Sequence, residues 1–247
     1  MLLQLSLLFV LGLLVGSFLN VVAYRLPKGE SLVFPGSNCR DCSHALGPLD
    51  LIPVLSFLLL YGRCRYCRAP IPWRYPITEI VTGVYFFLAG LTWGFKPILV
   101  RQLVCGTILI LAAQVDLATL TIPDPLTLGG SVLALFLPPG PHWVYLLGGV
   151  TNFLLLSCLT WASHGGIGQG DIKLSLALGL FLGWPFSLVA LILAFFFGAS
   201  VGIVLLLARL KRRNDVVAFG PFLALGGIIA GLWGRDLLEL YLTTFWR

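Results

Sequence analysis

Gly168-Gln169-Gly170-Asp171-Ile172-Lys173-Leu174-Ser175-Leu176-Ala177-Leu178-Gly179-Leu180-Phe181-Leu182 decides what kind of fold this chain adopts. A carboxylate behind two glycines opens onto an apolar run, at the mouth of a membrane span, where a charged side chain is costly. A second such carboxylate, Asp116, ends an apolar run that begins near Pro97. Helix packing can bring together two aspartates at span ends that are far apart in sequence. Peptide hydrolysis by paired aspartates needs one ionised, to draw a proton from water, and one protonated, to protonate the substrate carbonyl oxygen. Mutual repulsion between close carboxylates produces that split. Gly168 and Gly170 would let substrate backbone approach closely. The arrangement reads as an aspartyl protease site at the membrane surface.

Plainer readings exist for each aspartate. Asp171 stands where a helix N-cap would, and Asp116 fits a solvated position among headgroups. Asp124, between Pro123 and Pro125, reads best as a cap. The residues alone do not choose between Asp116 and Asp124 as the partner of Asp171.

Working outward, the 247 residues are 58% hydrophobic and 11% charged, with mean hydropathy +0.97. Soluble proteins carry about 25% charged residues. Apolar runs occur along the whole chain, so a cleaved signal peptide does not explain them. The first 22 residues lack a basic start and a small-residue cleavage site, and read as a retained span. The net charge of +6 comes from short basic blocks between spans. No basic groove with interleaved aromatics is visible, which argues against a nucleic-acid partner and for the lipid bilayer. No sequence feature speaks to oligomeric state.

At about 20 apolar residues per crossing, eight spans are expected: 5–23, 77–93, 98–115, 126–137, 143–162, 172–183, 186–208 and 220–240. The fourth stops at the Pro-rich stretch 138–141, and the glycine-rich loop 165–170 precedes the sixth. The fourth and sixth are short enough to be half-inserted helices buried by neighbours. Gly12, Gly16 and Ser17 give the first span a stripe for close helix contact. The fold class is thus all-α polytopic membrane protein, divided as 1–23 first span, 24–75 polar inserted domain and 76–247 multi-span core. Placing 24–75 inside puts most Lys and Arg inside, Arg213 among them, and leaves Lys96, Arg101, Arg235 and Arg247 outside. Both termini then lie outside, with Asp116 and Asp171 on the cytoplasmic side.

Cys39-Arg40-Asp41-Cys42 and Cys64-Arg65-Tyr66-Cys67 are separated by 21 residues. Four thiolates at that spacing suit a tetrahedral structural zinc, which would fold a segment too small to build its own core. Cytoplasmic placement disfavours disulfides. His44 is surplus to four cysteines, and Cys105 and Cys158 read as small apolar-span residues.

These residues resemble the type IV prepilin peptidases, membrane aspartyl proteases of the Gly-x-Gly-Asp type, over nearly the whole chain. The resemblance rests on Gly16-Ser17-Phe18-Leu19-Asn20-Val21-Val22, Arg25-Leu26-Pro27, Phe34-Pro35-Gly36-Ser37 and Asp50-Leu51-Ile52-Pro53-Val54-Leu55-Ser56. It continues through Gly62-Arg63-Cys64-Arg65, Arg74-Tyr75-Pro76 with Glu79, and Asp116 followed by Ile122-Pro123-Asp124. Gly168-Gln169-Gly170-Asp171-Ile172-Lys173-Leu174 and Phe219-Gly220-Pro221-Phe222 complete it. It implies Asp116 as the catalytic partner of Asp171, with Gly168, Gly170 and Lys173 in the substrate loop. It also implies cleavage of prepilins and pseudopilins at the cytoplasmic face of the bacterial inner membrane, after a basic leader ending in glycine. Family members with both cysteine pairs are bifunctional, which implies S-adenosylmethionine-dependent N-methylation of the new amine. No glycine-rich cofactor loop supports this second activity. Glu79 and Asn20 are polar groups near span ends that could serve it. Gln169 stands where methionine is common in the family, with no loss of activity expected.

Two other classes fit the residues less well. A proton-coupled transporter with a regulatory zinc module would use the same aspartates, but no internal repeat is found. A catalytically dead scaffold would have no use for both aspartates and the glycines.

Overall fold

The computed structural model describes residues 1–137, 142–163, 166–212 and 215–245. The 138–141 stop, Gly165 of the glycine-rich loop, and Arg213 and Arg247 of the charge pattern lie outside the described residues. Among the described residues the chain is helical, with two isolated β-bridges. The longer helices are α1 (Leu2–Arg25), α3 (Arg74–Trp93), α4 (Pro97–Thr119), α6 (His142–Ala162), α8 (Phe186–Leu207) and α9 (Gly220–Phe245). All six are long and apolar enough to cross a membrane. The shorter ones are α2 (Leu55–Leu59), α5 (Asp124–Phe136) and α7 (Gln169–Leu182). At 1.5 Å per residue, α5 and α7 reach only about 20 Å, against about 30 Å of hydrocarbon. Six full-length helices and two short ones therefore stand where eight spans were expected.

Two compact units divide the chain, Met1–Leu91 and Thr92–Arg247. In the first, α1 and α3 meet through glycines. A Cβ on Gly12 would stand 2.7 Å from the Cα of Gly83, and one on Gly16 would stand 2.7 Å from the Cα of Glu79. Backbones this close leave no room for side chains, so the expected small-residue stripe is the contact itself. The segment joining α1 to α3 carries both cysteine pairs.

In the second unit α4 packs on α9, α9 on α8, α6 on α7 and α7 on α5. The α6–α7 contact is again glycine on glycine: a Cβ on Gly148 would lie 2.7 Å from the Gly179 carbonyl oxygen. Short helices in lipid leave terminal carbonyls that water cannot satisfy. Arg101 of α4 answers this for both. It is 1% exposed, and its guanidinium donates to the carbonyls of Phe181 (2.8 Å), Leu180 and Leu137 (2.6 Å). Those carbonyls lie at the ends of α7 and α5. The guanidinium also stacks 3.7 Å from the Tyr145 ring centroid. Arg101 was expected as a boundary charge that orients the chain; it is instead a buried cap.

Candidate active site and metal centre

Asp116 sits near the C-terminal end of α4 and is 5% exposed. The helix ends because Leu120 takes a left-handed conformation (φ 53) and returns its N–H to the Asp116 carbonyl at 2.8 Å. On the side chain, Oδ2 accepts the N–H of Gly220, the first residue of α9, at 2.8 Å. A helix N-terminus favours an anion there. A Cβ on Gly220 would stand 2.8 Å from that same oxygen, so only glycine admits the carboxylate.

Asp171 is 9% exposed in the first turn of α7. It does not cap the helix: Gly168 holds the N-cap position and receives the Asp171 N–H on its carbonyl at 3.1 Å. The Asp171 carboxylate turns back toward Gly168, and its Oδ1 is buried with no hydrogen-bond partner among the described residues. Gly170 is where the loop after α4 crosses, since a Cβ there would lie 3.1 Å from the Cβ of Ile122. Ile122 is itself buried, and the crossing presses the chain downstream of Asp116 against the start of α7. The crossing draws the C-terminal end of α4, which carries Asp116, toward the first turn of α7, which carries Asp171.

Asp124 differs from its expected role as a helix cap. Pro123 occupies the N-cap of α5 and Asp124 its first position, so Asp124 is not the cap. Its carboxylate pairs with Lys173 Nζ at 2.6 Å, in a half-exposed contact. Sequence reading gave Gly220 and Ile122 only as parts of longer motifs and Arg101 only as a boundary charge, without the contacts they make. The signal for Gly220 was present in Phe219-Gly220-Pro221, a glycine and a proline at a helix start.

The four cysteines converge. The sulfurs of Cys39, Cys42, Cys64 and Cys67 all lie within 4.8 Å of one another, with Cys39 and Cys67 at 3.8 Å. A tetrahedral ion with bonds of about 2.3 Å needs sulfurs about 3.8 Å apart, so the cluster fits a metal. Each pair sits in the same turn. The N–H of Cys39 bonds the His44 carbonyl and that of Cys64 bonds the Ala69 carbonyl. Ser43 and Arg68, four residues after each first cysteine, share a positive φ. Backbone N–H groups of Cys67 and Tyr66 point at the Cys64 sulfur and draw its thiol pKa down to about 7. Asp50 braces the second turn, accepting from Arg65 Nε at 2.6 Å and Tyr66 at 3.2 Å. The Arg65 contact holds its carboxyl below the usual range. His44 stacks on Tyr66 with centroids 3.6 Å apart and stays out of the cluster.

Glu79 and Asn20 both line one cavity of about 790 Å³ within the Met1–Leu91 unit. The Val54 N–H donates to Glu79 Oε2 at 2.7 Å, and Asn20 Nδ2 donates to the Tyr75 carbonyl at 3.2 Å.

Comparison with known proteins follows this division. Residues 10–93 match the bacterial peptidase A24 N-terminal domain, and residues 103–203 match the type IV leader peptidase family. A prepilin leader peptidase/N-methyltransferase of Aeromonas hydrophila is 36% identical, covering 97% of this chain and 94% of that protein. One of Bacillus subtilis (strain 168) is 34% identical, covering 97% and 98%. One of Burkholderia pseudomallei (strain K96243) is 35% identical, covering 96% and 88%. No solved structure gives a significant match.

Proposed function

Since the chain belongs to the type IV leader peptidase family, we propose that Asp116 and Asp171 are its catalytic pair. It is a prepilin leader peptidase and N-methyltransferase. The observation that carries the site is the burial of a carboxylate on each of α4 and α7, where the loop after α4 crosses the start of α7, one with an oxygen lacking any partner among the described residues. Such an oxygen is costly to leave unsatisfied, and water or the scissile peptide would satisfy it.

One aspartate, ionised, draws a proton from water as it attacks the carbonyl carbon; the other, protonated, gives its proton to the carbonyl oxygen. The tetrahedral species then collapses as the amine leaves with a proton. The Gly220 N–H holds Asp116 in a fixed rotamer through these exchanges. Gly170 lets the Ile122 loop lie against α7. The basic-residue pattern supports a cytoplasmic-face site in the bacterial inner membrane, facing prepilins and pseudopilins with basic leaders. In the 24–75 segment, Cys39, Cys42, Cys64 and Cys67 would hold a structural zinc, which would lock the fold of the segment and leave no position open for catalysis. S-adenosylmethionine, when bound, supplies a methyl group to the freed N-terminal amine.

Purified protein is tested for cleavage of a prepilin, wild type against Asp116→Ala and Asp171→Ala. Both variants lose cleavage; full cleavage by either one sinks the paired-carboxylate reading. Labelled methyl transfer to cleaved pilin tests the second activity separately.

A further inference from the structure

We infer that Asn152 and Ser187 hold one buried water at the junction of α6, α7 and α8, and that this water pins the helix carrying Asp171. The pinning role rests on the catalytic reading of Asp171 given above; the water site does not. Asn152 of α6, Ser175 of α7 and Ser187 of α8 are all 0% exposed. Both α6 and α8 are long and apolar enough to cross a membrane. Hydrocarbon offers no partner to a polar atom buried between such helices, so each one needs a partner inside the protein.

Some of these atoms have one. Asn152 Nδ2 donates at 3.4 Å to the carbonyls of both Ser175 and Ser187, so one amide on α6 touches two other helices. The Ser175 hydroxyl donates to the Ile172 carbonyl at 2.8 Å, a back-bond common for serine within a helix. Asn152 Oδ1 and Ser187 Oγ are left without a partner among the described residues. An amide oxygen only accepts, whereas a hydroxyl also donates. The two orphans belong to residues that already meet, since the Asn152 amide reaches the carbonyl of Ser187 itself. A direct bond between them would satisfy both, but neither oxygen has it. Water fits the pair. It accepts the Ser187 O–H, gives one hydrogen to Asn152 Oδ1 and gives the other to a carbonyl that the amide touches. That makes about three bonds, the usual number for a buried water, and the facing serines are small enough to leave it space.

The position of the junction gives the water its role. Ser175 stands four residues after Asp171, on the same side of α7. Four residues further on, Gly179 meets Gly148 of α6, and Asn152 follows Gly148 by one turn. The wet contact therefore lies between the glycine contact and the end of α7 that bears the carboxylate. A single buried polar contact fixes the register of two helices where interchangeable apolar contacts do not. Any slip of α7 along α6 would move Asp171 with it.

The first test is a crystal structure of the full wild-type chain, grown in a lipid mesophase and resolved well enough to show waters. A water within hydrogen-bond distance of both Asn152 Oδ1 and Ser187 Oγ is expected. A direct bond between those oxygens, or no density between them, overturns the site. Thermal unfolding in lipid nanodiscs gives a second test. Asn152→Leu and Ser187→Ala should each lower the unfolding temperature. The double variant should unfold no lower than Asn152→Leu alone, because its second change removes an oxygen already stranded. Additive losses mean that the two oxygens share no partner, and also overturn the site. The pinning role is read from prepilin cleavage by folded Ser187→Ala, which keeps nearly the same side-chain volume. Its kcat should fall about three- to tenfold with KM within about twofold of wild type. Wild-type kcat in both single variants overturns the pin. Cleavage retained by Asp171→Ala instead sinks the catalytic pair, and the density and unfolding results then decide the water site by themselves.

Discussion

At the scale of single residues, the site depends on what is missing as much as on what is present. Gly220 lacks the Cβ that would sit 2.8 Å from the Asp116 carboxylate. Overpacking of that kind costs about 1–3 kcal/mol. Gly220→Ala should therefore lower cleavage about ten- to hundredfold by displacing Asp116, while the thermal unfolding of the chain changes little. Unchanged kcat in a well-folded variant would remove the Gly220 N–H from the mechanism. Lys173 makes a half-exposed ion pair with Asp124, worth about 0–1 kcal/mol. Lys173→Met should stay within about threefold of wild-type cleavage on those grounds; a much larger rise in KM would instead put the lysine on substrate. Asp50 gives a pH signature. Its carboxyl titrates lower in the folded chain than unfolded, because of Arg65. The contact's stabilisation is therefore full above the unfolded value of about 3.9 and is lost as pH falls through the lower folded value. The gap in unfolding temperature between wild type and Asp50→Asn should close below about pH 4.

At the scale of elements, α5 and α7 would not be tenable as lone helices in a bilayer. Both stop short, and one guanidinium satisfies carbonyls at both ends. Removing it leaves three carbonyls dry, at about 1–3 kcal/mol each before relaxation. Arg101→Met should thus lower the unfolding temperature by many degrees and reduce cleavage, because α7 carries Asp171. Preserved stability would mean that water reaches those carbonyls. Hydropathy predicted where these helices run to within about three residues, and their shortness was visible. Their capping was not, since Arg101 stands 80 residues before Phe181 in sequence.

At the scale of the whole molecule, the two units differ in what they carry. The Met1–Leu91 unit contains the four cysteines and the cavity, and Thr92–Arg247 contains the carboxylate pair. About one zinc per chain is expected by elemental analysis. Stripping it with a chelator should raise amide exchange across residues 38–71, because a segment this poor in buried apolar residues folds on its metal. Fully reduced, active protein without metal would refute the zinc assignment. The sequence by itself determined the membrane class, the positions of most spans, the glycine stripe of α1 and the thiolate set. Each of these is a local property, of composition, period or spacing. Only the tertiary structure decided that Asp171 is not a cap and that Asp124 answers Lys173. It alone showed that Asp116 takes an N–H from a glycine 104 residues away. Those facts depend on which helices touch, and packing brings together residues whose neighbours in sequence carry no trace of the contact.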